Sequence, residues 1–265
     1  KMVFQPYEEG GLGAPAMIRD GVLTNPEVDA MIGLHIGNIM GMEYSSGDVI
    51  ASPDPVTACI YGFRAVFRGK GSHVANPEEA IDPVEMAAEA ALGLKEMIRK
   101  IKESGERAIG SVTTIHGGVR NNIIPDSCRI EGSIRAHDQK KHEVDCASFR
   151  EMCRKIAEDR GGTVEFETVT QAPSTKNDPA LYERFMEIAG GIVPAEQLKR
   201  LARAPFMGED FAYFSDCVPS LYFYLSSKPE NGPCYPHHHP KFDINEKTLP
   251  LGAALFTAFA LQWQK

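Results

Sequence analysis

The sequence predicts an α/β protein that carries a smaller, inserted α+β domain. Three observations predict it: a strand–helix–strand order at the start of the chain, a β-α-β-β-α-β order in its middle, and a return of helix and strand patterns after Pro173. We therefore expect a core built from residues 1–58 and 172–265, interrupted by an inserted domain of residues 59–171.

The core begins with short apolar segments. Met2–Gln5 predicts a buried strand, Ala14–Arg19 suits a short helix, and Asp29–His35 predicts a second buried strand. After Pro173 the pattern is mainly helical, with one apolar strand. The later elements are predicted over Pro179–Ile188, Ala195–Leu201, Ser220–Leu225 and Lys247–Gln264.

The inserted domain is marked by strand alternation and by a helix start. Ile60–Gly69 alternates between two faces as a strand does, and Asp82-Pro83 is typical of a helix N-terminus. The other elements are predicted over Ala108–His116, Ser127–Ala136, Lys140–Arg160 and Thr163–Thr170. The resulting order is that of the ferredoxin-like split β-α-β unit.

The composition argues against several classes of partner. The chain has 265 residues, of which 43% are hydrophobic and 24% are charged. A formal charge of −8 disfavours nucleic acids and anionic membranes. No apolar run reaches the roughly 18 residues that a membrane helix needs, and no secretory signal is visible. The six cysteines form no CxxC pair, so we expect reduced thiols and a cytoplasmic protein.

Two acidic residues follow the first predicted strand. Glu8 and Glu9 lie where α/β sheets place their sites. Because adjacent side chains point in different directions, one carboxylate is able to ligate a metal ion while the other holds a water as a general base. A solvated acidic turn is the alternative, and the pair taken by itself favours that alternative.

Histidines supply the second candidate group. His35 ends an apolar strand, either as a metal ligand or as a hydrogen-bonded core residue. His237, His238 and His239 precede the closing helix, so they are not a terminal tag. Imidazole is a common metal ligand, and one of the three facing a site would suffice. A solvated loop is the alternative.

The inserted domain offers groups for anion recognition. His73 lies in a Gly-rich loop, Asn122 follows in NNIIPD, and Arg135 ends a predicted strand. Imidazole, amide and guanidinium groups are expected around a substrate carboxylate or an oxyanion. Turn formation and a surface ion pair are the alternatives. A further acid pair, Glu209 and Asp210, is adequately explained as helix capping.

These segments together resemble one family, the dinuclear-metal amidohydrolases of the aminoacylase, hippurate hydrolase and auxin-conjugate hydrolase type, which belong with the zinc carboxypeptidases of the aminoacylase clan. The matches run in the family's order across nearly the whole chain. They are VFQPYEEGGLGA at 3–14, VDAMIGLHIGN at 28–38, GKGSHVANPEEAIDP at 69–83, NNIIPDSCRIEGSIR at 121–135, MGEDFAYF at 207–214 and HHHPKFDINE at 237–246.

The resemblance implies a role for each candidate in the core. Glu8 resembles the general base that deprotonates the metal-bound water, and Glu9 resembles a metal ligand. His35 and His238 resemble further ligands, and His238 is selected because the family's histidine lies two residues before the proline. The resemblance implies two divalent metal ions, Zn or Mn, in a zinc-exopeptidase-like core.

The same resemblance assigns the inserted domain a lid and dimerisation role, so it implies a homodimer. His73 resembles the imidazole that reaches across a dimer to stabilise the tetrahedral oxyanion. Asn122 and Arg135 resemble the groups that hold the free carboxylate of the substrate.

One departure from the family's pattern is serious. The first metal motif, HxCGHD, should precede the strand predicted at Met2, and nothing like it occurs in this sequence. It supplies a bridging Cys and another His, so only three of the five expected protein ligands are present. We therefore expect a truncated portion of a larger enzyme that is inactive by itself and binds metal weakly.

The function implied for the intact enzyme is metal-dependent hydrolysis of the amide bond of N-acyl amino acids, which releases a free amino acid and a carboxylic acid. A dipeptidase or carboxypeptidase of the same clan is the first alternative. His35 favours the amidohydrolase branch, because a carboxylate is commoner at that position in the peptidase relatives. A non-catalytic dimerisation or binding module is the second alternative.

Overall fold

The computed structural model describes residues 1–38 and 44–263 of the chain. It has a mixed α/β fold, as predicted. Its strands are β1 Met31–Gly37, β2 Val49–Ala51, β3 Cys59–Arg68, β4 Ser72–His73, β5 Ala108–Gly117, β6 Ile123–Ile124, β7 Ser127–Ala136, β8 Thr163–Ala172, β9 Leu198–Arg200 and β10 Ser220–Ser226. Its α-helices are α1 Gly13–Arg19, α2 Pro83–Glu103, α3 Gln139–Asp159, α4 Pro179–Gly190, α5 Ala212–Cys217 and α6 Leu249–Gln262.

The chain divides into two compact units. The first unit contains residues 1–58 and 174–265, and the second contains residues 59–173. No described helix combines the length and the apolar character that a membrane span requires. All six cysteines are free thiols, and four of them are buried.

The first unit is built on a four-stranded sheet in the order β1-β10-β2-β9. β1 and β10 are parallel, as are β2 and β9, whereas β10 and β2 are antiparallel. β10 is buried over its whole length, because its side chains enter two different cores. Leu221 and Phe223 pack with helices α4 and α6, while Tyr222 and Tyr224 pack with α1 and α5.

The second unit has a four-stranded antiparallel sheet in the order β5-β7-β3-β8. Along β3, Phe63 and Phe67 are fully buried in a core that includes residues of α2 and α3. Arg64 points to the other face, where it pairs with Glu131 at 2.7 Å and Glu167 at 2.6 Å. The sheet therefore has one apolar and one charged face, which explains the alternation in its sequence.

Three predicted elements differ from the structure. Met2–Gln5 forms no strand; Met2 and Phe4 are 74% and 84% exposed, and no strand among the described residues pairs with them. Ala195–Leu201 is not a helix, because after one 3-10 turn its backbone pairs with β2 as strand β9. The closing helix begins at Leu249 after a 3-10 turn, and Gln264 lies outside the described residues.

Candidate metal centre

The two acidic residues of the first motif lie on a compact turn formed by residues 6–13, called here the acidic turn. Tyr7 adopts a left-handed backbone with φ 58°, and a 3-10 turn, Glu8–Gly10, follows it. The two ends of the turn lie close together: a Cβ at Gly13 would lie 1.8 Å from the carbonyl oxygen of Pro6. Only glycine fits there, and the sequence supplies it.

The two carboxylates of the acidic turn have different neighbours. Glu9 Oε2 lies 3.7 Å from His238 Nε2, with both side chains exposed. Glu8 is half-buried, and its carboxylate lies within 4.8 Å of those of Glu209 and Asp210. Burial, followed by the neighbouring negative charges, raises the pKa of Glu8 to about 7.

A pair of imidazoles lies at the end of β1. The rings of His35 and His237 meet edge to face with their centroids 4.8 Å apart. His35 Nδ1 donates to the carbonyl of Ile36 at 3.0 Å, which leaves Nε2 with its lone pair. Burial, and then the charge of His237, lowers the pKa of His35 to about 4. His35 is therefore neutral at pH 7, the form in which imidazole binds metals.

His237 is held close to the sheet. Its Nε2 is buried and has no hydrogen-bond partner among the described residues. Gly37 makes room for the ring: its φ is +127°, and a Cβ there would lie 2.3 Å from His237 Cε1. A glycine at the end of β1 is thus required by the histidine loop that packs on it.

The acid pair Glu209 and Asp210 is buried rather than capping a helix. Glu209 accepts from the Tyr222 hydroxyl at 2.6 Å and from Phe211 N at 3.2 Å. Asp210 accepts from Ala14 N at 3.0 Å and from the side-chain amide of Gln5. Helix α5 begins beyond the pair and has no side-chain cap. The capping expectation was therefore wrong, because it considered only local acceptors and donors.

Carboxylate oxygens and neutral imidazole nitrogens are the donors that Zn²⁺ accepts, and carboxylates also suit Mn²⁺. The residues Glu9, His35 and His238 thus fit such ions, and the buried unpartnered nitrogen of His237 adds a further donor near His35. The Glu8, Glu209 and Asp210 carboxylates also approach one another closely enough to surround a cation. Both oxygens of Asp210 are already engaged, so this group is less suited to that role.

The other three predicted site residues lie in the second unit. His73 is in β4, opposite Ile123 of β6, and the neighbouring Val74 N donates to the carbonyl of Asn122 at 3.1 Å. His73 and Asn122 are therefore on adjoining segments. Arg135 is half-buried in β7, its Nε donates to Ser133 Oγ at 3.4 Å, and burial lowers its pKa.

Comparison with known proteins identifies relatives along the whole chain. The family described as Peptidase family M20/M25/M40 matches residues 1–262. Thermostable carboxypeptidase 2 of Saccharolobus solfataricus is 32% identical over 99% of this chain and 65% of its own length. IAA-amino acid hydrolase ILR1-like 4 of Arabidopsis thaliana is 31% identical over 99% of this chain and 59% of its own length. The chain therefore spans about three fifths of these relatives.

Solved structures give the same result. A protein of methicillin resistant Staphylococcus aureus, proposed there to be an aminohydrolase, has a TM-score of 0.87 at 27% identity and covers 98% of this chain and 66% of its own. The Bacillus subtilis YXEP protein, described as a dinuclear metal binding peptidase from the M20 family, has a TM-score of 0.76 at 26% identity over 97% of this chain and 63% of its own.

Proposed function

Since the chain belongs to peptidase family M20/M25/M40, we propose that its function is that of a metal-dependent hydrolase that cleaves the amide bond of N-acyl amino acids. The observation that carries this proposal is the difference in environment between the two carboxylates of the acidic turn. Glu9 is exposed and lies 3.7 Å from His238, whereas Glu8 is half-buried and its pKa is raised to about 7. One carboxylate is thus available as a ligand and its neighbour as a base.

In this proposal Glu9 and His238 hold one divalent cation, and His35 contributes to a second. Such cations, Zn²⁺ or Mn²⁺, supply Lewis acidity toward the substrate carbonyl and toward water. Glu8 takes a proton from the attacking water and passes it to the leaving amine. Its raised pKa suits both directions of transfer near pH 7, because a general base works best when its pKa is close to the working pH.

For the second unit we propose a lid that also dimerises. His73 would stabilise the oxyanion, acting across a homodimer, and Asn122 and Arg135 would hold the free carboxylate of the substrate. The guanidinium of Arg135 supports this role, because planar bidentate recognition of a carboxylate is what this group does best. Its half-buried position strengthens an ion pair with an incoming carboxylate relative to the same pair in water.

The acyl group follows from the relatives only as a class. N-acetylcysteine deacetylase of Bacillus subtilis is 28% identical over 98% of this chain, and the Arabidopsis relative is named for IAA-amino acids. A second candidate function, a carboxypeptidase, is favoured by the 32% identity to the Saccharolobus enzyme. The two candidates share the reaction and differ in the acyl side of the scissile amide.

The test measures amine release from N-acetyl amino acids, N-benzoyl amino acids and dipeptides by the metal-loaded protein. It uses the chain itself and a fusion in which an HxCGHD segment precedes Lys1. We expect metal uptake by both proteins, hydrolysis of the N-acyl amino acids by the fusion, and little turnover by the chain itself. Preference for dipeptides would favour the carboxypeptidase. If the fusion takes up metal but hydrolyses none of these amides, the result would contradict the proposal and favour a binding module.

A further inference from the structure

The acidic turn is held by one buried side chain from a distant part of the sequence. Asp210 is 1% exposed. Its Oδ2 accepts from Ala14 N at 3.0 Å, and its Oδ1 accepts from the side-chain amide of Gln5. Gln5 precedes the acidic turn and Ala14 follows it, so one carboxylate fastens both ends of the segment that carries Glu8 and Glu9.

The acidic turn needs such an external support. Tyr7 is a non-glycine residue in the left-handed region, with φ 58°, and such residues persist only where surrounding contacts hold them. Within the turn, Gly11 N donates to the carbonyl of Glu8 at 2.7 Å. The 3-10 turn has no side-chain cap. The contacts of Asp210 thus bear on a segment with few supports of its own.

We propose that Asp210 is a positioning residue that fixes the acidic turn so that Glu9 meets His238 and Glu8 stays half-buried. This inference rests on the function proposed above for Glu8 and Glu9. A carboxylate suits the task because it accepts at both oxygens, and hydrogen bonds to a charged acceptor are stronger than neutral ones. Since both oxygens are occupied by Gln5 and Ala14, Asp210 acts through the turn rather than on the metal.

The chemistry suggests a conservative variant that separates position from charge. In Asp210→Asn, Oδ1 still accepts from Ala14 N, and Nδ2 donates to Gln5 once that side-chain amide turns over to present its oxygen. Asp210→Ala loses both contacts. Gln5→Ala removes one of the two and leaves the Ala14 contact intact.

The experiment measures two properties of the full chain: hydrogen exchange of the amides in residues 5–14, and the affinity for Mn²⁺ by calorimetry. We expect Asp210→Ala to exchange at least 10-fold faster in this segment and to bind Mn²⁺ at least 10-fold more weakly. Gln5→Ala should lie between Asp210→Ala and wild type. Asp210→Asn should stay within about twofold of wild type in both properties, a rescue that a general loss of stability would not give.

Asp48 provides the matched control. It is also a buried aspartate of the first unit, 4% exposed, and it accepts from Ser45 N at 2.8 Å, while no hydrogen bond among the described residues joins it to the acidic turn. Asp48→Ala should leave exchange in residues 5–14 and Mn²⁺ affinity unchanged. If Asp210→Ala behaves like this control, the positioning role is wrong. If Asp210→Ala does not fold, Gln5→Ala and Asp210→Asn decide by the same two measurements.

Glu9→Ala separates the inference from the proposed function. If Glu9→Ala weakens Mn²⁺ binding and Asp210→Ala does not, only the positioning role is overturned. If Glu9→Ala binds Mn²⁺ as tightly as wild type, the proposed function fails and the positioning role falls with it.

Discussion

Two pairs of consecutive acidic residues lie in the first unit, and they have opposite environments. Glu8 and Glu9 are on a strained turn, and their carboxylates have charged or titratable neighbours such as His238. Glu209 and Asp210 are buried, and each accepts two hydrogen bonds from neutral donors. Identical functional groups thus differ in the interactions still open to them, because their remaining free lone pairs and their access to water differ.

The comparison shows that the two pairs of carboxylates suit different roles. A carboxylate whose oxygens are satisfied by fixed donors stabilises the fold and has little capacity left for a ligand. A carboxylate with an open side and a nearby imidazole is able to accept a cation or a proton. The buried pair also supports Glu8 and Glu9, since Asp210 contacts the residues that flank the acidic turn.

The largest expected difference between the pairs is in turnover. In the fusion that supplies HxCGHD, Glu8→Gln should lower kcat by about 10²–10⁴-fold, because general-base catalysis contributes on that scale. Metal content should not change, since Glu8 is not proposed as a ligand. The measurement is amine release under saturating N-acetyl amino acid, with metal content determined by elemental analysis. A kcat within threefold of the parent would break the assignment of the base.

Metal affinity should separate the pairs by a smaller factor. Glu9→Ala is expected to weaken Mn²⁺ or Zn²⁺ binding by about 100-fold or more, because even partners beyond the ligand shell contribute 10–100-fold. Glu209→Gln, a change in the buried pair, should bind the same ion with an affinity within a few-fold of wild type. Calorimetric titration of both variants checks this. Equal losses would show that the carboxylates form one shared metal site.

The free energy of unfolding should depend more on the buried pair than on Glu9. Tyr222→Phe removes the donor at 2.6 Å from buried Glu209, and leaving a buried acceptor unsatisfied costs about 1–3 kcal/mol in the free energy of unfolding. Urea denaturation at pH 7 measures the loss. Glu9→Ala should change stability by less than about 0.5 kcal/mol, as surface substitutions usually do. A Tyr222→Phe variant as stable as wild type would contradict the architectural role of Glu209.

The smallest expected effect is a pH dependence of stability. Burial raises the pKa of Glu209 above its usual 4.5 in the folded state, so the folded protein binds this proton more tightly than the unfolded chain. Its contribution to stability is therefore present below about pH 4.5 and is lost as the pH rises through the folded-state pKa. Glu209→Gln should flatten this slope in denaturation curves recorded from pH 4 to 8. An unchanged slope would refute the linkage.

The second unit shows how much of the fold was predictable. Helix α2 was predicted from Asp82-Pro83, and Asp82 does accept from Val84 N at 2.8 Å. Over residues 63–68, the alternation in β3 also matches its burial. These signals are local, because capping depends on two or three neighbours and a half-buried strand repeats every second residue.

The failures of prediction come from long-range pairing. Residues 198–200 have a sequence compatible with a helix, but their backbone bonds go to β2. The apolar segment at Met2 has no partner strand among the described residues, and apolar character by itself does not make a strand. Short β2 was missed because three residues carry no periodicity.

For the candidate site, the sequence supplied candidate residues but did not predict their pairings. The motifs singled out Glu8, Glu9, His35 and His238, and the structure brings Glu9 to His238. Nothing in the spacing predicted that His237 would pack on His35, because Gly37, which makes room for the His237 ring, is far from it in the sequence and near it only in the fold. The contacts of Asp210 were missed for the same reason.

The measurement that tests the account most directly is a double-mutant cycle on Glu9 and His238, read as the Mn²⁺ affinity of the wild-type chain, Glu9→Ala, His238→Ala and the double variant. If both residues hold the same ion, each single change removes most of the Mn²⁺ binding that the wild-type chain shows. The double variant then loses much less than the sum of the two losses. Additive losses, or a His238→Ala variant that binds as wild type while His237→Ala does not, would contradict the account.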